Sequence, residues 1–130
     1  MLKVLPIQSK EQQEQICHAC DVVYNPDLLA YAVYDDGTLL GVCQFRLSAE
    51  GGILYDLAPA KGTDSFEGLF IMGRGTLNFI DLCGVKKAYF RGVCHSERLL
   101  AAVGFSKNES GEYAVDLNGF FTDHHHEENH

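Results

Sequence analysis

The chain contains no tryptophan and only three prolines, and none of its apolar runs approaches the roughly 20 residues that a bilayer-spanning helix needs. Its start, Met1 to Pro6, lacks an apolar signal core followed by a small-residue cleavage site, so the expected address is cytoplasmic and no membrane partner is expected. Basic charge is also scarce. Ten Lys and Arg stand against 18 Asp and Glu, a formal net charge of -8, the reverse of the basic stripe that holds a row of phosphates. Nucleic acid is therefore not an expected partner, and an amine-bearing one suits this field better. The five cysteines do not make an even set. Cys17, Cys20, Cys43, Cys83 and Cys94 lie in apolar stretches and read as reduced, buried thiols rather than a disulfide framework.

With 130 residues, 46% hydrophobic and 22% charged, the chain has the length and composition of one compact domain with its own core. Leu2 to Ile7 reads as a short edge strand, where the missing donor of Pro6 is tolerated. Ser9 to Gln12 is a capping box that opens a helix over Lys10 to Cys20. Leu28 to Tyr34 and Leu39 to Leu47 form a hairpin, because Asp36-Gly37 supplies the positive φ of a tight turn. A second turn at Ala49 to Gly52 leads into a strand over Ile53 to Ala58, which Pro59 is expected to stop.

A long helix follows over Ser65 to Cys83. Phe66, Leu69, Gly73, Leu77, Ile80 and Cys83 recur at helical spacing, with Glu67, Arg74, Asn78 and Asp81 opposite. Gly84 caps it, Val85 to Arg91 is the next strand, and strand, helix, strand at this spacing makes a parallel crossover. Ser96 to Val103 is a short helix ending at Gly104-Phe105, and Tyr113 to Leu117 is the last strand. Residues 1–121 thus read as a single domain, and Thr122 to His130 as a polar, disordered tail.

This order resembles the GNAT N-acetyltransferases over residues 2 to 117, most closely in Leu99 to Phe105, which is similar to the family's helix-to-strand corner. The resemblance implies an α/β (α+β) fold with a mixed sheet: an antiparallel N-terminal meander, a parallel crossover between fourth and fifth strands, and flanking helices. It implies acetyl-CoA as cosubstrate, with pantetheine added like a strand along Asp56, Leu57 and Ala58. The phosphate end would fall to Lys61, Gly62, Gly68 and Leu69. An Arg or Gln followed by two glycines, the family's phosphate motif, is absent at 64–69, and Asp64 with Glu67 forms a capping box whose carboxylates would compete with phosphate. The only basic cluster is Lys86, Lys87, Arg91 and Arg98. Leu100 stands where the family commonly has a proton-donating tyrosine.

Catalytic groups must then come from the ends of the two parallel strands. His95 and Cys94 on one, and Tyr55 and Asp56 on the other, are the candidates to protonate the leaving thiolate and to deprotonate or orient a primary amine acceptor. The alternative is a catalytically silent GNAT-like module that binds another ligand or a protein, with apolar Ile71 on the helix's polar side as the candidate surface for a homodimer. Cys17-His18-Ala19-Cys20 has half a zinc knuckle's spacing but no second pair, and His124 to His126 with His130 offer no fixed geometry, so no metal is assigned.

Overall fold

The computed structural model describes residues 1–93 and 95–121; Cys94 and the histidine-bearing tail lie outside the described residues. Four strands make the antiparallel meander: β1 (Leu2–Pro6), β2 (Leu29–Asp35), β3 (Thr38–Ser48) and β4 (Gly51–Leu54). Asp36 and Gly37 take φ of 49° and 87° in the β2–β3 turn, the two consecutive left-handed residues that match the twist of flanking strands. β1 is the sheet edge on this side, where Pro6 is tolerated. α1 (Lys10–Ala19) is capped by Ser9, whose Oγ accepts from the Gln12 amide at 3.0 Å.

The expected strand over Ile53 to Ala58 is broken, not continuous. Phe45 pairs with Leu54 and Val42 with Ala58, so Tyr55, Asp56 and Leu57 stand opposite only Gln44 and Cys43. That extra residue is a β-bulge, which bends the strand and re-aims its side chains. Pairing then resumes as β5 (Ala58–Pro59), and Pro59 does not end the ladder: it pairs with Gly41, and the Ala60 amide donates to the Leu40 carbonyl at 2.9 Å.

After α2 (Phe66–Leu82), β6 (Lys87–Phe90) returns parallel to β4, in the register Gly52 to Ala88, Ile53 to Tyr89 and Leu54 to Phe90. α3 (Glu97–Val103), β7 (Ser106–Lys107) and β8 (Tyr113–Asp116) complete a sheet of order β1-β2-β3-β4-β6-β8-β7, with β5 pairing to β3. Gly84 (φ 83°) is the left-handed residue just past the C-cap of α2, and Gly104 (φ 133°) caps α3. Among the described residues no helix is long and apolar enough to cross a membrane.

The main core joins Phe45, Leu54 and Phe90 of the sheet to Met72, Leu77 and Ile80 of α2 and to Leu99, Leu100 and Val103 of α3. A smaller core packs Ile16 and Cys17 of α1 and its C-cap Cys20 on Ala32, Val42 and Ala58. The sequence pattern predicts close helix-to-sheet approach at Gly73, yet a Cβ there would meet Val103 of α3 first, at 2.8 Å. The tight helix-to-sheet contacts are at Gly41 and Gly52, where a Cβ would meet Leu69 at 2.5 Å and Ile80 at 2.6 Å. Ile71 rests against the main core, so it offers no isolated apolar patch. Cys17, Cys20 and Cys43 are buried as expected, but Cys83 is exposed, because it is the C-cap of α2 and has turned off the apolar stripe.

Candidate functional site

Pairing between the parallel strands stops early. Among the described residues, the last bond across β4 and β6 runs from the Arg91 amide to the Leu54 carbonyl at 2.9 Å. At Gly92 the two backbones still touch, since a Cβ there would fall on the Tyr55 carbonyl oxygen. Beyond that contact the bulge carries Tyr55 to Leu57 away from β6, and a cleft of about 400 Å³ opens. Tyr55, Asp56 and Ala58 form one wall, Gly92, Val93 and His95 the other, and the segment from Asp21 to Leu28 closes the third side. This volume lies at the small end of the roughly 300–1,000 Å³ typical of ligand sites. Asp56, Tyr55, Ala58 and His95, assigned from sequence, therefore meet in one place, while Leu57 is buried behind them. Cys94 lies outside the described residues.

Asp56 is held by a polar network that sequence reading did not find. Gln44, only 1% exposed, donates from Nε2 to Asp56 Oδ2 and to the Val23 carbonyl, both at 2.8 Å. Its Oε1 accepts from Gln13 Nε2 at 3.0 Å and from the Asn25 amide at 3.1 Å. All hydrogen-bonding positions of the Gln44 amide are thereby used, which fixes which end faces the carboxylate. Gln13 also reaches the Leu28 carbonyl at 3.3 Å, and Lys10 Nζ reaches the same carbonyl at 2.6 Å. The signal available in the sequence was a glutamine at an inward position of an otherwise apolar strand, since buried polar side chains come with partners.

Burial pushes the Asp56 carboxyl up from its ordinary value, against the pull of its hydrogen bonds from Gln44 and the smaller field of His95. The folded protein thus binds this proton more readily than the unfolded chain. Stability from this group falls as pH rises from the ordinary carboxylate value through the raised one, and the whole penalty is present above it. Asp56→Asn keeps an acceptor for Gln44 and removes the charge. Thermal melts should show the variant more stable than the wild type at pH about 7, with the gap closing as pH falls below the ordinary aspartate value of about 3.9. A gap independent of pH would contradict this account.

No family sequence profile and no curated protein sequence matches the chain. Solved structures do match. The PaiA N-acetyltransferase from Thermoplasma acidophilum, in complex with coenzyme A, superposes with a TM-score of 0.64 at 11% identity, over 89% of this chain and 99% of that one. The ribosomal-protein-S18-alanine N-acetyltransferase from Escherichia coli gives 0.67 at 10% identity, over 90% and 94%. The N-acetylglutamate synthase from Neisseria gonorrhoeae, complexed with coenzyme A and N-acetyl-glutamate, gives 0.68 at 12% identity, over 90% of this chain and 35% of that longer one. The chain has the GNAT fold. At these identities the likeness establishes architecture, and the residues must be judged on their own positions.

The helix start that would face a diphosphate in a GNAT-type site differs from expectation. The Asp64–Glu67 capping box does not form: Ser65 is the N-cap, and its Oγ accepts from the Gly68 amide at 3.0 Å. A short hydroxyl stem already in extended backbone reaches that amide without bending the chain. The Leu69 amide donates to the Ser65 carbonyl at 3.0 Å and its side chain is buried, so Gly68 and Leu69 have their amides occupied. Phe66 and Glu67 hold the amides that the helix cannot satisfy itself. Lys61 and Gly62 are exposed just before the helix, although the Lys61 amide is spent on the Ala19 carbonyl at 2.9 Å.

The expected basic cluster disperses. Lys86 pairs with Asp81 at 2.7 Å, and Arg91 is claimed by Glu50 and Glu112 at 2.7 and 2.6 Å. Lys87 lines a separate cavity of about 520 Å³ over the β6, β8 and β7 end of the sheet, which contains none of the candidate site residues. Arg98 turns toward the start of the long helix, its guanidinium 4.3 Å from the centroid of Phe66. That stacking places a cation at the first residue of α2, a cross-helix contact that sequence spacing does not reveal.

Proposed function

We propose that the chain is a cytoplasmic, single-domain acetyl-CoA-dependent N-acetyltransferase that acts on a primary amine. The observation that carries this reading is the parting of β4 and β6 after Leu54 beside an anchored carboxylate. An extended pantetheine arm would lie along the backbone of Leu57 and Ala58, in the manner of an added strand. Lys61, Gly62, the free amides of Phe66 and Glu67, and Arg98 would take the diphosphate. The incoming nitrogen must be neutral to attack the thioester carbonyl. Asp56, fixed by Gln44 and raised by burial, is suited to accept the ammonium proton, and His95 on the facing wall to protonate the thiolate as the carbon–sulfur bond breaks. Most of the acceleration would come from holding amine and thioester in line.

Titrating the folded protein with acetyl-CoA tests this, because ligand at 100 times its dissociation constant stabilises by about 2.7 kcal/mol. An unchanged melting temperature at millimolar acetyl-CoA would remove the proposal. Arg98→Ala should weaken acetyl-CoA about three- to tenfold, as expected for loss of one exposed charge-assisted phosphate contact; unchanged affinity would take Arg98 out of the site. One observation favours the silent module instead. Leu100, where the family resemblance calls for a tyrosine, is 2% exposed and packed in the main core, so α3 supplies no proton donor there. Binding of acetyl-CoA without thiol release in the presence of amines would decide for that reading.

A further inference from the structure

The cleft has a composition that narrows its ligand. Among the described residues its wall contains two carboxylates, Asp21 and Asp56, and no lysine or arginine. Lys10, which reaches the Leu28 segment from α1, has its ammonium tied to the Leu28 carbonyl at 2.6 Å and to Gln13 Oε1 at 3.2 Å. At the mouth stand two apolar side chains from different elements, Val23 at 87% exposure and Val93 at 74%. Both belong to this one cleft, and an apolar rim around an anchored polar group is the pattern of a small-molecule site.

We propose that this cleft selects a primary amine on a short apolar body with no carboxylate beside the nitrogen. The inference rests on reading the cleft as the amine side of the transfer site. The nitrogen docks at Asp56, and the valines cover the carbon body. A carboxylate on the neighbouring carbon would be forced toward Asp56 with no lysine or arginine on the wall to receive it, while the one imidazole there, His95, already acts on Asp56, and like charges brought together across a desolvated contact discriminate strongly. An amide in the same position has the same size without the charge, so a capped or peptide-borne amine fits where a free amino acid does not.

The test titrates isotope-labelled full-length protein with isobutylamine, valinamide and valine at one pH, following the backbone amide signals of Val23, Tyr55 and Gly92. Isobutylamine and valinamide should saturate shifts at these residues, and valine should bind at least about tenfold more weakly than valinamide. Asp56→Asn should abolish most of the amine affinity while leaving the spectrum folded. Valine binding within twofold of valinamide, no saturable shift with either amine, or undiminished affinity in Asp56→Asn would each overturn the proposal. Coenzyme A is titrated separately on the same sample. Saturable amine binding without coenzyme A binding would defeat the transferase reading and leave the amine site standing.

Discussion

Gly92→Ala is expected to lower stability by about 3 kcal/mol, the upper part of the range for overpacking, and to drop the melting temperature by about 10 °C. The added methyl would fall on the Tyr55 carbonyl oxygen, with the Tyr55 carbonyl carbon at 2.6 Å, and neither is the end of a flexible side chain that can swing away. Relief requires moving β6 off the bulge, and this contact is where the two walls of the cleft meet. Stability and ligand binding should therefore fall together, with acetyl-CoA affinity reduced even at temperatures where the variant stays folded. Gly75→Ala is the contrasting control. A Cβ there meets only Val4, at an ordinary 3.6 Å, and replacing a mid-helix glycine should stabilise by about 0.5–1 kcal/mol. Chemical denaturation of both variants checks the pair. Equal effects would mean that backbone freedom, not the collision with Tyr55, explains Gly92.

The parts of the fold that could be read from sequence were those set by local chemistry. The Asp36-Gly37 turn, the Ser9 cap and the glycine after Cys83 each answer to a backbone conformation that few residues supply, and each appears where the pattern placed it. The order of strands and the parallel crossover follow from them. What escaped was set by contact across the chain. The bulge at Tyr55 to Leu57 depends on how β3 pairs on both sides of it, and no local signal marks it. Asp64 and Ser65 are adjacent residues of equal capping character, and only the fold places the cap at Ser65, whose backbone is extended. The basic cluster was compact in sequence, yet Glu50 and Glu112 from distant turns claimed its arginine. That Asp56 and His95 line one cleft was legible because both follow the ends of neighbouring parallel strands; Gln44 and Gln13 were not, because nothing in a strand or helix pattern says that two inward amides will meet.

Gln44→Leu should be the most damaging of the cleft substitutions, at about 3–5 kcal/mol. Leucine fills the space but leaves the Asn25 amide, the Val23 carbonyl and Asp56 without their Gln44 partner, and Gln13 Nε2 keeps only its backbone acceptors. Each buried polar group left unsatisfied costs about 1–3 kcal/mol, and the sum is limited because the segment from Asp21 to Leu28 can open to water. Gln13→Leu makes a useful comparison. It breaks the same network one step earlier and keeps the bond from Gln44 Nε2 to Asp56, so it should cost stability without altering the carboxylate. The two variants are separated by carbon-detected titration of the Asp56 carboxyl in labelled protein. Because the Gln44 hydrogen bonds hold that carboxyl down against burial, Gln44→Leu should move its midpoint upward in whatever folded fraction remains, whereas Gln13→Leu should leave it in place. An equal upward shift in both would mean that Asp56 responds to general loosening of the cleft, and Gln44 would then be a structural residue with no part in setting the base.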